Sequence, residues 1–173
     1  MFAEHGFDTV TVAQVARAAG VSSVTVFKHF PRKEDLFFDR SDELVDLLRD
    51  AVADVPPGQV LDALEALTLR LVDDRAPVSG LAPGSASFFR TVAGSGALQA
   101  RARELAAAAQ DALADAIGDE LVAALFVAGY TVVFTGTARR ILEGDADDDV
   151  VAAHRAGLSR LFRVLREGVA STA

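Results

Sequence analysis

Apolar residues recur at helical spacing along almost the whole chain. Leu36, Phe37, Leu44, Leu47, Leu48 and Ala51 lie on one face of a helix predicted over 34–52. The stretch "DVPPGQ", Asp54 to Gln59, breaks it. Val60, Leu64, Leu67 and Leu71 then predict an amphipathic helix ending near Asp74. "APVSGLAPGS", Ala76 to Ser85, reads as a loop rich in Pro, Gly and Ser. A short helix over 87–93 carries Phe88 and Phe89 and stops at "GSG". Leu98, Ala102, Leu105, Ala109, Leu113 and Ile117 outline a long helix with Gly118 as its C-terminal cap. Asp119 caps the next, which runs to about Glu143. After "EGDADDD", the stripe Val151, His154, Leu158, Leu161, Leu165, Val169 predicts the last helix. No segment finds a strand partner, so the fold class is all-α with short connections and antiparallel neighbours.

One segment resists this pattern. "AGVSSVTVFKHF", Ala19 to Phe30, is rich in β-formers and has little helix preference. Its neighbours settle the matter. Thr11 is a good N-cap, and Val12, Val15, Ala16 and Ala19 share one helical face. Gly20 suits a left-handed turn, with Val21 following as a buried turn residue, and Ser22 is a second N-cap. Val26 and Phe30 share a face, and Pro31 ends the helix. Two short helices joined by a Gly-containing turn make a helix-turn-helix.

Composition sharpens the picture. The chain has 173 residues, 51% of them hydrophobic, which suffices for a compact unit. It has no cysteine, so disulfides and thiolate metal sites are excluded. No secretory signal is visible, which suggests the cytoplasm. The run Leu121 to Gly136 falls short of the ~20 residues a bilayer span needs and reads as a buried helix, so no membrane partner is expected. The net charge is −8, but it is unevenly placed. Thr9 to Lys33 contains no acid and holds Arg17, Lys28, Arg32 and Lys33, whereas from Ser41 onward 20 acids face 12 Arg. An acidic body with a locally basic N-terminal segment suggests an anionic partner at one end.

"FAEHGFDTVTVAQVARAAGVSSVTVFKHFPRKEDLF", Phe2 to Phe37, closely resembles the DNA-binding domain of the TetR family of transcription regulators. The resemblance rests on the "GF" turn, the Thr before the first helix of the motif, "AGVS", the aromatic-x-His-Phe ending and "KEDLF". It implies a helix-turn-helix domain over 1–38 and a larger helical effector-binding and dimerisation domain over 39–173. It implies that Ser23, Val24, Thr25 and Lys28 face the major groove, where Lys28 suits guanine and Val24 and Thr25 suit thymine methyls. Thr11, His29 and Lys33 match family positions that contact phosphates. Phe27 stands where the family often has Tyr, so a hydroxyl contact is lost, and Val24 stands where a small residue is usual. Family members carry a full first helix ahead of this stretch. Only its last turn, Met1 to His5, is matched here, so the domain is expected to be incomplete at its N-terminus.

For the body, the resemblance implies a homodimer and an unknown small-molecule effector. Gly129 and Gly136 on one helix, and Ala153, Gly157, Leu161 and Val164 on the next, are the expected dimer interface. The competing reading is that the glycines ease packing within one subunit. Phe88, Phe89, Phe126, Tyr130 and Phe134 are the candidate pocket walls, with Thr91, Gln110 and Thr131 as polar contacts; core packing is the alternative. "DADDD", Asp145 to Asp149, has Asp at three positions of a calcium loop, but Val150 and Ala156 replace its Gly and Glu, so a solvated helix cap is expected and no metal or other cofactor. An enzyme is not expected: His5, His29 and His154 sit in separate segments, and no nucleophile elbow or phosphate loop is present. The function so implied is a ligand-responsive repressor released from palindromic double-stranded operator DNA by a hydrophobic or aromatic effector. The alternative is a dimeric sensor or scaffold with lost or weakened DNA binding.

Overall fold

The computed structural model describes residues 1–145 and 147–170, excepting the side chains of Val169 and Ala170. Val169 of the predicted stripe and Ala146 of "DADDD" therefore lie outside what is described. Among the described residues the chain is all-α, without strands. A small head holds α1 (Phe2–His5), α2 (Val12–Ala18) and α3 (Ser23–His29), followed by a 3-10 turn at Glu34–Leu36. The body comprises α4 (Ser41–Val52), α5 (Val60–Asp73), α6 (Ser85–Ala93), α7 (Gly96–Ile117), α8 (Glu120–Glu143) and α9 (Asp147–Ala170).

Local chemistry places most ends where the sequence puts them. Asp119 accepts from the Val122 N–H at 2.9 Å, and Ser95 caps α7 by accepting from Leu98. Gly118 and Gly144 end α7 and α8 at φ 68 and φ 87. The predicted helix over 34–52 is the exception. It breaks between Leu36 and Ser41, and Phe37 and Phe38 both turn onto Phe88 of α6, at ring separations of 5.1 and 5.9 Å. Consecutive residues of an α-helix point about 100° apart, and the break lets both rings close on Phe88 instead.

The main core gathers Leu48 and Val52 of α4, Leu64 and Leu67 of α5, Leu113 of α7, Phe126 of α8 and Phe162 of α9. A second cluster joins Val72, Leu81, Val150 and Leu158, flanked by Tyr130 and Val133. The helices α8 and α9 lie close because glycines let them. A Cβ on Gly129 would overlap Leu161, and one on Gly157 would come within 3.1 Å of Val133. His154 is buried between these helices at 1% exposure.

The run Leu121 to Gly136 is not buried throughout, as its composition suggested. Leu121, Leu125 and Val132 are 65%, 47% and 71% exposed, and Ala128 is exposed with them. By length and composition α8 could cross a membrane, yet its other side packs on α6, α7 and α9. What composition cannot show is that one face of this helix is uncovered within the chain.

The loop before α6 is held by a tight fit. Gly80 adopts φ 76, and a Cβ there would lie 2.8 Å from both the Phe134 and Phe89 rings. Gly84 adopts φ 89 in open space. Gly80→Ala combines backbone strain of about 1–2 kcal/mol with overpacking of about 1–3 kcal/mol. It should lower the urea-unfolding free energy by about 2–5 kcal/mol, whereas Gly84→Ala loses only the backbone part, about 1–2 kcal/mol. Burial lowers the pKa of His154 from its ordinary value. The unfolded chain protonates this residue below about pH 6.5 and the folded chain resists, so unfolding takes up a proton and stability falls with acid. Between about pH 7.5 and about pH 5.5 the wild-type Tm should fall further than that of His154→Leu.

Candidate DNA-binding site

Reciprocal caps build the head. The Thr11 N–H donates to the Gln14 Oε1 at 2.7 Å, and the Gln14 N–H donates to the Thr11 hydroxyl at 3.3 Å. This capping box starts α2 without help from propensity. Gly20 turns the chain at φ 70, and the Val21 N–H donates back to the Ala16 carbonyl at 2.9 Å. The Ser22 hydroxyl accepts from the Thr25 N–H at 3.0 Å and starts α3. The β-forming segment is thus helical because Ser22 caps its start and Val26 is buried beneath it. Val21 is an exception to expectation: it is exposed at the turn, its backbone rather than its side chain being used.

The outward face of α3 carries the predicted set. Val24 is 80% exposed and Phe27 is 49% exposed, with Thr25, Lys28 and His29 beside them. Ser23 is half-buried on the flank, and Thr11 is exposed at the start of α2. The Arg17, Lys28 and His29 side chains make no ion pair or hydrogen bond among the described residues. Their charge and donors are directed at solvent, with no acid in the surrounding sequence to neutralise them.

Lys33 is placed differently. Its ammonium donates to the Phe7 carbonyl at 2.6 Å and lies 4.3 Å over the Phe7 ring. These contacts brace the head from inside. Arg32 is also engaged. It pairs with Glu104 at 2.6 Å, Glu104 pairs with Arg101 at 2.9 Å, and Arg101 reaches Asp35 at 2.8 Å. The hydrogen bond from Arg101, aided by the Arg32 charge, pulls Glu104 below its ordinary pKa. This network, with the Ser95 hydroxyl donating to Asp8 at 2.7 Å, ties the head to α7. Neither role was visible in the sequence, because both partners lie far along the chain.

The body residues sort into two groups. Phe88, Phe89, Phe134, Tyr130 and Phe126 form one run of ring contacts, with centroids 5.5, 5.4, 6.4 and 6.0 Å apart in that order. Thr91 and Gln110 stand apart from its Phe126 end. Thr91 donates to Ser87 at 2.9 Å and lines a groove with Phe2 and Phe7, whereas Gln110 lines an acidic depression with Asp111, Asp115 and Glu120. Thr131 is exposed and donates to Val127 at 2.8 Å. Gly129, Gly157 and Leu161 are used within the chain, between α8 and α9; Gly136 is half-buried but a Cβ there would meet open space, Ala153 is half-buried, and Val164 is exposed. The exposed stripe Leu121, Leu125, Ala128, Val132 on the opposite side of α8 was missed. Its alternating four- and three-residue spacing was available in the sequence as a seam pattern.

The two lysines of the chain should therefore separate by experiment. Lys33→Met removes the ammonium that satisfies the Phe7 carbonyl and should cost about 1–3 kcal/mol in chemical denaturation. Lys28→Ala, at an exposed and unpaired position, should change stability by less than about 0.5 kcal/mol.

Residues 1–39 match the family model TetR_N, described as "Bacterial regulatory proteins, tetR family". No curated protein matches the chain.

Proposed function

We propose that this chain, a TetR family regulator by its match over residues 1–39, is a repressor that binds palindromic operator DNA as a homodimer and lets go when a small apolar or aromatic effector occupies the body. DNA binding and transcription regulation follow from the family; repression, symmetry and effector release are the reading advanced here. One observation carries it. The capped helix α3 turns Val24, Thr25 and Lys28 outward, while Val26 fixes its reverse side to the head.

A helix so presented fits the major groove, which is wide enough to admit it and displays a distinct pattern at each base pair. Lys28 and Thr25 then reach base edges, and Val24 meets thymine methyls. Thr11 and His29 stand at the flank, where phosphates set the register. Phe27 offers apolar contact without a hydroxyl. One short helix reads few base pairs, so a pair of heads related by two-fold symmetry multiplies specificity. The uncovered stripe of α8, with Val164 of α9, supports a second copy as the partner that supplies the other head. The aromatic run from Phe88 to Phe126 supports an apolar effector site in the body, because its rings connect directly to the head through Phe37.

Selection from random duplex DNA, followed by gel shift, tests this reading. The selected sites should contain two inverted half-sites spaced about 34–36 Å centre to centre. Lys28→Ala should weaken specific binding at least about tenfold and reduce the salt slope of log K by up to about 1. Enrichment of no sequence, or of single half-sites bound by monomer, would overturn it.

A further inference from the structure

The acid-free segment Thr9 to Lys33 ends in a cation that the body holds. Arg32 lies three residues beyond His29, the last residue of α3, so at most about 11 Å of chain separates the two. Its guanidinium is 56% exposed and donates from Nη1 to the Glu104 Oε2 of α7 at 2.6 Å. Glu104 is itself 50% exposed. An ion pair so open to water is weak and is readily traded for another partner.

The wiring around this pair makes Arg32 the member free to leave. The same Glu104 oxygen accepts from Arg101 Nη1 at 2.9 Å. Arg101 in turn reaches the Asp35 Oδ1 with Nη2 at 2.8 Å and Nε at 2.9 Å. When Arg32 swings away, Glu104 keeps Arg101 and Arg101 keeps Asp35, so no charge is stranded. Two guanidinium groups on one carboxylate oxygen also repel each other, which favours departure of the more exposed one. The Arg32 backbone stays in place, because its N–H donates to the Asp35 Oδ2 at 3.0 Å. The head remains tied to α7 through Arg101 on Asp35 and Ser95 on Asp8.

We propose that Arg32 is a further phosphate contact of the DNA complex and that Glu104 is its competitor: the free protein holds the guanidinium on the α7 carboxylate, and binding exchanges that carboxylate for a DNA phosphate. The inference rests on the reading of α3 as the groove-facing helix, and adds to that site a contact and a means of control. A duplex presents a phosphate about every 3.4 Å of axis along each strand, so a cation just past the end of α3 finds one within reach once the helix is seated. The planar guanidinium matches phosphate oxygens in pairs, whereas it shares its one Glu104 oxygen with Arg101. The exchange makes DNA affinity depend on the body. Where α7 stands close to the head, Glu104 holds Arg32; where α7 draws back, Arg32 is released to DNA.

A double-mutant cycle on the full chain tests this, with the duplex enriched by selection and a salt series. Glu104→Gln should tighten DNA binding by about two- to fivefold per head, the range that loss of an exposed pair gives. Arg32→Ala should weaken binding and lower the slope of log K against log salt by about 0.9 per head. In the Arg32→Ala background, Glu104→Gln should leave affinity unchanged. Both single variants should melt within about 4 °C of wild type, since the groups removed are exposed. Weaker or unchanged binding by Glu104→Gln, an equal gain with and without Arg32, or an unchanged salt slope in Arg32→Ala would overturn the proposal. So would a larger drop in Tm for Glu104→Gln, which would make the acid a brace of the head. Failure of the wild type to select any duplex would count against the groove-facing reading of α3 itself, and so is distinguishable from failure of the exchange.

Discussion

The structure depends on the aromatic seam between head and body. The head buries fully only Phe7, Val10, Ala16 and Val26, too few to hold three short helices unaided. It leans on α6. Phe37 stacks on Phe88 at 5.1 Å with ring planes 16° apart, and Phe7 packs edge-on against Phe37 at 6.1 Å. Such pairs contribute about 0.5–1.5 kcal/mol each beyond their area. The ion network of Arg32, Glu104, Arg101 and Asp35 spans the same seam; its Arg32–Glu104 pair is exposed, and exposed pairs contribute about 0–1 kcal/mol. The rings therefore hold the head on, and the charges fix how it is turned. Together they determine where α3 points, which is the quantity a DNA reader must control.

This seam also explains how an event in the body can reach α3. Phe88 and Phe89 are consecutive on α6 and in ring contact at 5.5 Å, Phe88 reaching Phe37 and Phe89 reaching Phe134. A rotation of α6 that repacks one ring must move the other, because packed aromatic contacts are not continuously deformable. A ligand affects it only through a difference in affinity between the two packings.

Much of this was legible in the sequence, and the division follows the range of the interactions. The caps at Thr11, Ser22, Ser95 and Asp119 join residues three apart, and the left-handed glycines act on their own backbone. The helix-turn-helix follows from such local rules, whereas its outward set at Val24, Thr25 and Lys28 came from the family resemblance. The break at 37–40, the inward turn of Lys33 and the latch on Glu104 depend on residues tens of positions away, which periodicity does not report. Phe88 and Phe89 were recognised as a pair but not as a junction, since their spacing is the same in either case. His154 was visible in the α9 stripe, yet its contact with Thr137 depends on how α8 and α9 pack.

The helix α8 unites these threads because its three faces are committed to different partners. Phe126, Tyr130 and Phe134 point into the body, Gly129 and Val133 receive α9, and Leu121, Leu125, Ala128 and Val132 face out. A helix moves as a rigid rod over such distances, so a shift at the inner face is carried to the outer one. In the proposed dimer the outer face meets its symmetry mate, and any tilt of α8 is doubled across the two-fold axis. Meanwhile Phe134 passes the same displacement through Phe89 to the head. Ligand-driven repacking at Tyr130 and Phe134 would thus alter both the attitude of each head and the separation between heads. The major groove repeats only every turn of DNA, about 34–36 Å, so even a modest change in that separation leaves one reading helix out of register.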